Sequence, residues 1–348
     1  MTLSTSLSTI VMPAEWERQD AIMLAWPHFR TDWQPMLEEA QECFLHVAEA
    51  ILRDERLIVI TPCVEQARKQ LATLDNGTNI LYQEIETNDT WARDFGPISI
   101  YNGTERILLD FKFDGWGMKF AACHDNMICR RLYENELFNA NLVTCQDFVL
   151  EGGSIESDGK GTLLTTSNCL LSPNRNASLS KDEIKNVLKT RLGAKKVMWL
   201  NNGNLIGDDT DSHIDTLARL APGNTIIYVK SDDPKDEQYD SLKRMEQELR
   251  SMTDANSKPF NLVPLPCPKA IYDKDGMRLP ATYANFLITN TQVLVPTYGQ
   301  PKNDEQALAI INNVFSDRTM VGIDCSALIK QHGSLHCITM QIPENFLK

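Results

Sequence analysis

Met36-Leu37-Glu38-Glu39-Ala40-Gln41-Glu42-Cys43-Phe44-Leu45-His46-Val47-Ala48-Glu49-Ala50-Ile51-Leu52, followed shortly by Leu57-Ile58-Val59-Ile60, reads as one helix and one strand in succession. In the first stretch Met36, Leu37, Ala40, Phe44, Val47, Ala48, Ile51 and Leu52 recur at intervals of three and four, the spacing of a single helix face. The second is a short apolar run of the kind that forms a buried strand. Outward from this pair, helices are expected over residues 64–74, 124–134, 181–192, 239–252 and 304–315. The third of these opens on a capping box of Ser180 and Glu183. Strands are expected over 107–113, 142–150, 162–171, 197–200, 225–229, 283–289, 293–296 and 335–342. The last five helices are spaced by roughly 60 residues, the length of a repeated supersecondary unit. Five strand-and-helix units suggest a ring, although no residue-level repeat accompanies them, and a plain mixed α/β domain with evenly spaced helices fits the same pattern. With no linker or low-complexity stretch, residues 1–348 read as a single domain.

Composition narrows the function. The chain is 42% hydrophobic and 23% charged over 348 residues, which excludes a disordered or fibrous protein. A formal charge of -13 and the absence of a Lys/Arg cluster argue against nucleic acid and suit cationic ligands, or simply solubility. No run approaches the roughly 20 apolar residues of a membrane span. Residues 1–13 contain no Lys or Arg, unlike a secretory or transit peptide. The nine cysteines are odd in number and include no Cys-x-x-Cys pair, so zinc-site and disulfide-scaffold readings fail and a cytoplasmic location is expected.

Dinucleotide and P-loop fingerprints are absent, and no cofactor or metal is expected. Polar segments instead cluster at strand ends, where sites are commonly built. They are Asn88-Asp89-Thr90-Trp91-Ala92-Arg93-Asp94-Phe95-Gly96-Pro97, Glu151-Gly152-Gly153, Gly207-Asp208-Asp209-Thr210-Asp211-Ser212-His213-Ile214-Asp215 and Gly333-Ser334-Leu335-His336-Cys337. On an extended strand, His213 and Asp215 at i and i+2 would share one face. The aspartates before them lack the Gly and terminal Glu of an EF-hand, which argues against calcium. Cys337 is expected at a turn-to-strand junction, exposed enough to react, whereas a lone cysteine is otherwise a core residue. Spacing alone does not bring these groups together.

At these residues the chain resembles the agmatine deiminases, of the bacterial peptidylarginine deiminase family and the guanidino-group-modifying superfamily. The resemblance runs nearly end to end: Met12-Pro13-Ala14-Glu15-Trp16-Glu17, Ala25-Trp26-Pro27, Trp91 to Pro97, Trp116-Gly117, Glu151-Gly152-Gly153, Gly207 to Asp215, Pro296-Thr297-Tyr298 and His336-Cys337-Ile338-Thr339. It implies a five-fold pseudosymmetric α/β propeller with no cofactor. It also implies Cys337 as nucleophile, His213 as general acid and base, Asp94 and Asp215 as the carboxylates holding a guanidinium, and Glu151 as the carboxylate orienting His213. Departures fall at Ser212, where the family commonly has Gly, and at Ser334-Leu335, where it commonly has a second Gly.

The chemistry agrees with those roles. A guanidinium remains protonated, and its delocalised charge makes the carbon a poor electrophile, so a thiolate and two fixed carboxylates are appropriate. Trp116, between two glycines, is a candidate wall for a methylene chain, and the resemblance, which places Asp209 nearest the substrate's far end, implies Asp209 for binding a distal ammonium. Arg93 reads as an ion-pair partner of Asp94, and Asn285 as near the pocket without a role. The expected partner is agmatine, with no nucleic acid or membrane; oligomeric state stays open, a homodimer included. The alternative is a deiminase of free or peptidyl arginine, whose carboxylate or backbone would call for Arg side chains where this chain is acidic. A non-catalytic protein on the same fold would have no use for Cys337, His213, Asp94 and Asp215 together.

Overall fold

The computed structural model describes residues 10–348; most of the 1–13 segment considered above lies outside them. Nine α-helical segments and nineteen strands in six small sheets make up the described residues, a mixed α/β fold. Five of the sheets share one pattern, an antiparallel pair whose second strand is joined through a helix to a parallel third strand. Ile98–Asn102 pairs antiparallel with Glu105–Lys112, which runs parallel to Asn141–Val149 beyond helix Ile128–Glu134. Ile155–Ser157, Thr162–Thr166 and Lys196–Leu200 repeat this around helix Lys181–Leu192. Ala218–Ala221, Thr225–Lys230 and Asn261–Pro266 do so around Tyr239–Ser251, and Leu287–Ile288, Gln292–Thr297 and Thr319–Asp324 around Pro301–Val314. The fifth unit joins the two ends of the chain: Thr339–Pro343 pairs antiparallel with Gln19–Ala25, which runs parallel to Arg56–Thr61 beyond helix Leu37–Ile51.

The equivalent helix in that fifth unit is therefore Leu37–Ile51, not the expected helix at 64–74. Val64–Gln70 is shorter and carries the chain to an additional parallel strand, Ile80–Glu84. Leu37–Ile51 buries Ala40, Phe44, Val47, Ala48 and Ile51, and each large apolar side chain so covered contributes about 1.5–3 kcal/mol. Helix Lys181–Leu192 has the expected capping box at Ser180 and Glu183 and stops at Gly193, whose φ of 71° is costly for other residues.

Three expected strands are truncated. Thr166 ends Thr162–Thr166 because its hydroxyl accepts from the Cys169 amide and caps a short helix, Ser167–Leu170. Of 283–289 only Leu287–Ile288 pairs, and of 335–342 only Thr339 onward. The residues preceding them, 283–286 and 335–338, are buried and lie off the ladder. Those two segments meet where Asn285 Oδ1 accepts from the His336 and Cys337 amides. No helix among the described residues is long and apolar enough to cross a membrane.

Candidate active site

Asp94 lies on the short helix Ala92–Phe95, wholly buried. One carboxylate oxygen accepts from the Gly153 amide at 3.0 Å, and the other from Trp116 Nε1 at 2.8 Å. Trp116 reaches it from a turn with φ 59° and ψ 48°, a left-handed conformation that costs a non-glycine residue about 1–2 kcal/mol. His213 and Asp215 are not on a strand. His213 precedes the 3-10 turn Ile214–Thr216, which carries Asp215, and both still meet Asp94. Gly153 shows how closely: a Cβ there would fall 2.7 Å from His213 Nδ1, 2.8 Å from Asp94 Oδ1 and 3.2 Å from Asp215 Oδ2. Only glycine leaves these three side chains room to share one point.

Cys337 sits on a turn ahead of its strand and is 7% exposed, so it reaches solvent through a cavity and not at an open surface. Its Sγ lies 3.4 Å from Asn285 Oδ1 and 3.9 Å from Asp215 Oδ2. Asn285 Oδ1 also accepts from the His336 and Cys337 amides, which gives this residue a definite place at the thiol. The cavity, about 210 Å³, is walled by Trp91, Trp116 and Phe120 and by the carboxylate residues Asp32, Asp89, Asp94, Asp208 and Asp209. Among the described residues lining it there is no Arg or Lys. Asp209 is at the cavity wall. Asp208 is partly committed, accepting from the Ser212 amide and the Thr210 hydroxyl.

Two expectations for neighbouring side chains are altered. Arg93 does not pair with Asp94; its guanidinium turns to the His336 carbonyl, Met340 and Gln341. Glu151 is bonded to Arg175 at 2.7 Å instead of to His213. Its Oε2 and His213 Nε2 are both buried and without a hydrogen-bond partner among the described residues, and Glu151, Cys169 and His213 each place a ligand atom within 4.8 Å of the other two. Asp215 Oδ1 is likewise buried and unpartnered. Such orphaned acceptors cost roughly 1–3 kcal/mol each, and a ligand rich in N–H donors would satisfy the carboxylates.

Sequence reasoning missed the support beneath. His336 bonds Asp215 at 2.8 Å and Glu15 at 2.8 Å, and Arg219 joins Glu15, Glu156 and His336. Glu15 and His336 stand within quoted motifs, which was the available signal. Arg219 and Arg175 stand in none. Both groups of side chains close enough to share a metal ion, Glu151/Cys169/His213 and Glu15/Glu156/His336, include carboxylates already bonded to one of these guanidiniums.

Burial, followed by the charges of Asp215 and Asp94, raises the Cys337 thiol well above its ordinary range. Burial, followed by the charge of Asp215, likewise raises Asp94. Burial also pushes Asp215 upward, but the hydrogen bond and charge of His336 outweigh it and hold Asp215 below the usual value. Burial depresses His213 to about 3, against the pull of Asp215. The site is therefore asymmetric, one carboxylate favouring its proton and the other its charge, beside a neutral imidazole and a neutral thiol. A bound cation would offset the two charge effects on the thiol.

This fold and this gathering of thiol, imidazole and carboxylates define the class: the chain belongs to the Porphyromonas-type peptidyl-arginine deiminase family, whose model matches residues 11–343. It is 32% identical to the agmatine deiminase of Medicago truncatula, over 95% of this chain and 96% of that one. Among solved structures, a Porphyromonas gingivalis protein provisionally described as an arginine deiminase is 50% identical with a TM-score of 0.92, covering 97% of this chain and 100% of that one. A cysteine-to-serine variant of C. jejuni agmatine deiminase with substrate bound is 36% identical with a TM-score of 0.89, covering 100% of both chains. A dimethylarginine dimethylaminohydrolase, 12% identical with a TM-score of 0.50 over 93% of this chain and 100% of that one, shares the fold alone.

Proposed function

We propose that this chain hydrolyses agmatine to N-carbamoylputrescine and ammonia through an amidino intermediate on Cys337. The observation that carries the reading is a buried thiol 3.9 Å from Asp215, whose Oδ1 lacks a donor, at a cavity lined by five further aspartates. Asp94 and Asp215 accept the guanidinium N–H groups and hold its carbon over Sγ. The bound cation offsets the two carboxylate charges that oppose the thiolate, so Cys337 gives its proton to His213 and attacks. His213, now imidazolium, protonates the departing nitrogen, and ammonia leaves. An amidino-thioether remains. Water deprotonated by His213 adds to its carbon, and collapse releases the ureido product and the thiolate. Glu151 faces the other side of His213 and steadies its orientation, Trp116 covers the methylene chain, and Asp209 receives the distal ammonium.

The agmatine assignment is supported by relatives named agmatine deiminase and by the acidic cavity, which suits a dication and opposes a free α-carboxylate. The arginine reading keeps one argument, the 50% identity to the P. gingivalis protein. We further propose that the five units close into a five-fold pseudosymmetric propeller forming a single domain over 1–348, and that the enzyme is cytoplasmic, with a homodimer the oligomer to test by sedimentation. The deciding experiment supplies agmatine, arginine and a blocked arginine peptide to the purified protein, measuring ammonia and ureido product. Preference for agmatine is expected; turnover of arginine or the peptide alone would overturn the substrate assignment.

A further inference from the structure

Arg175 is a feature of this site that neither the motifs nor the proposed chemistry uses. Its side chain is fully buried and makes three directed bonds: Nε to Glu151 Oε1 at 2.7 Å, Nη1 to Asp211 Oδ2 at 2.6 Å and Nη2 to the Thr210 carbonyl at 2.9 Å. The two segments it joins supply the site from opposite sides. On one, Glu151 leads into Gly152-Gly153, the turn on which Asp94, His213 and Asp215 converge. On the other, Asp211 and Ser212 occupy left-handed conformations, φ 66° and 68°, immediately before His213. Two consecutive non-glycine residues in that region cost about 1 kcal/mol or more each, so the turn persists only where its surroundings impose it.

Those surroundings are visible. The Ser212 amide donates to Asp208 at 2.7 Å, and its carbonyl accepts from the Thr166 hydroxyl at 2.8 Å. Arg175 grips the carbonyl just before the strained pair and the side chain of its first member. The same guanidinium leaves Glu151 with one oxygen bonded and the other without a partner, on a carboxylate that approaches His213 and Cys169.

We propose that Arg175 is a positioning residue: by clasping Glu151 to the Thr210–Asp211 turn it fixes His213 against both Glu151 and Asp94, and so sets the geometry of proton transfer. The planar fork suits this task because it bonds in two directions at once, which an ammonium on a flexible stem does not reproduce. The proposal rests on the reading of His213 as acid and base.

The test compares wild type with Arg175→Lys, Arg175→Met and Asp211→Asn. For Arg175→Lys, kcat should fall about 100-fold while KM stays within about threefold, because a displaced proton-transfer group affects the step more than the binding. In Arg175→Met, Glu151 loses its cation and holds its proton to higher pH, so the acid limb of the kcat profile should move to higher pH, and less so in Arg175→Lys. If the arginine variants fail to fold, Asp211→Asn, which weakens one of the three bonds together with the 2.9 Å Lys119–Asp211 pair at a partly exposed partner, should still lower kcat more than it raises KM, and Lys119→Met, which leaves the Arg175 bonds in place, should not. A kcat within about threefold of wild type in every folded variant, or a loss in Tm with an unmoved pH profile, would reduce Arg175 to a structural ion pair and overturn the proposal. Alkylation of Cys337 by a 2-haloacetamidine, followed by mass, separates this from the substrate assignment. A protein that turns over arginine and not agmatine would fail that assignment, yet the variants could still be compared on arginine.

Discussion

At the residue scale, the site works by contrast between like groups. Asp94 and Asp215 are both buried and adjoin one glycine, yet His336 holds one ionised while the other favours its proton. A cationic guanidine binds best when both are charged. Since the raised group is the acid Asp94, its carboxylate form grows as pH rises, and KM should therefore fall with rising pH on the acid side. Asp94→Asn should abolish that limb and cost at least ~2 kcal/mol in kcat/KM, as when one partner of a buried charge pair is truncated. A KM flat across pH in the wild type would contradict the assignment. Cys337→Ala should remove turnover and the amidino adduct seen by intact mass, whereas Cys325→Ala, at a residue wholly buried elsewhere in the core, should leave both. For Asp209→Asn, agmatine KM should rise and discrimination against arginine weaken; an unchanged KM would return Asp209 to a solvent-facing role.

The elements explain what was legible and what was not. Periodicity revealed the helices because each buries one face; 181–192 matched to the residue since its capping box and Gly193 are both local signals. Strands flanked by turns were overdrawn, as apolar residues such as Leu335 and Ile338 run into the core ahead of the first ladder pair. Among site residues, Asp94, Glu151, His213, Asp215 and Cys337 could be proposed from motifs. Arg175 could not: it is a single arginine whose partners lie 24 and 36 positions away, a separation that only folding closes. Asn285 carried no assigned role because its contacts with the thiol and the 336–337 amides span about 50 positions. The turn at 152–154 yields the prediction at this scale. Gly153→Ala would introduce a methyl carbon into the point shared by His213, Asp94 and Asp215. Activity should drop about 100-fold through displaced reacting groups while the short turn itself stays folded. Measuring kcat beside Tm decides it, since loss of both together would mark a packing defect instead.

Across the whole molecule, stability depends on seams between units, and one of them carries a pH-sensitive weakness. Glu55, between helix Leu37–Ile51 and strand Arg56–Thr61, accepts from the Asn290 amide at 2.7 Å and so joins the unit that contains the chain ends to the turn between Leu287–Ile288 and Gln292–Thr297. Its second oxygen is buried without a partner, and burial, with Asp54 nearby, pushes its pKa from 4.5 up to about 8. The folded state thus holds a proton that the unfolded chain has already released. This contribution to stability is complete below pH 4.5, declines as pH rises, and is lost once pH passes about 8. Glu55→Gln keeps an oxygen for Asn290 and cannot ionise. Relative to wild type it should therefore gain little at pH 4.5, progressively more through neutrality, and most by pH 9. Urea unfolding of both proteins at pH 5, 7 and 9 measures the difference directly. A stability gap that stayed constant across those three pH values would mean that Glu55 is ionised in the folded seam, with solvent or a cation reaching its free oxygen.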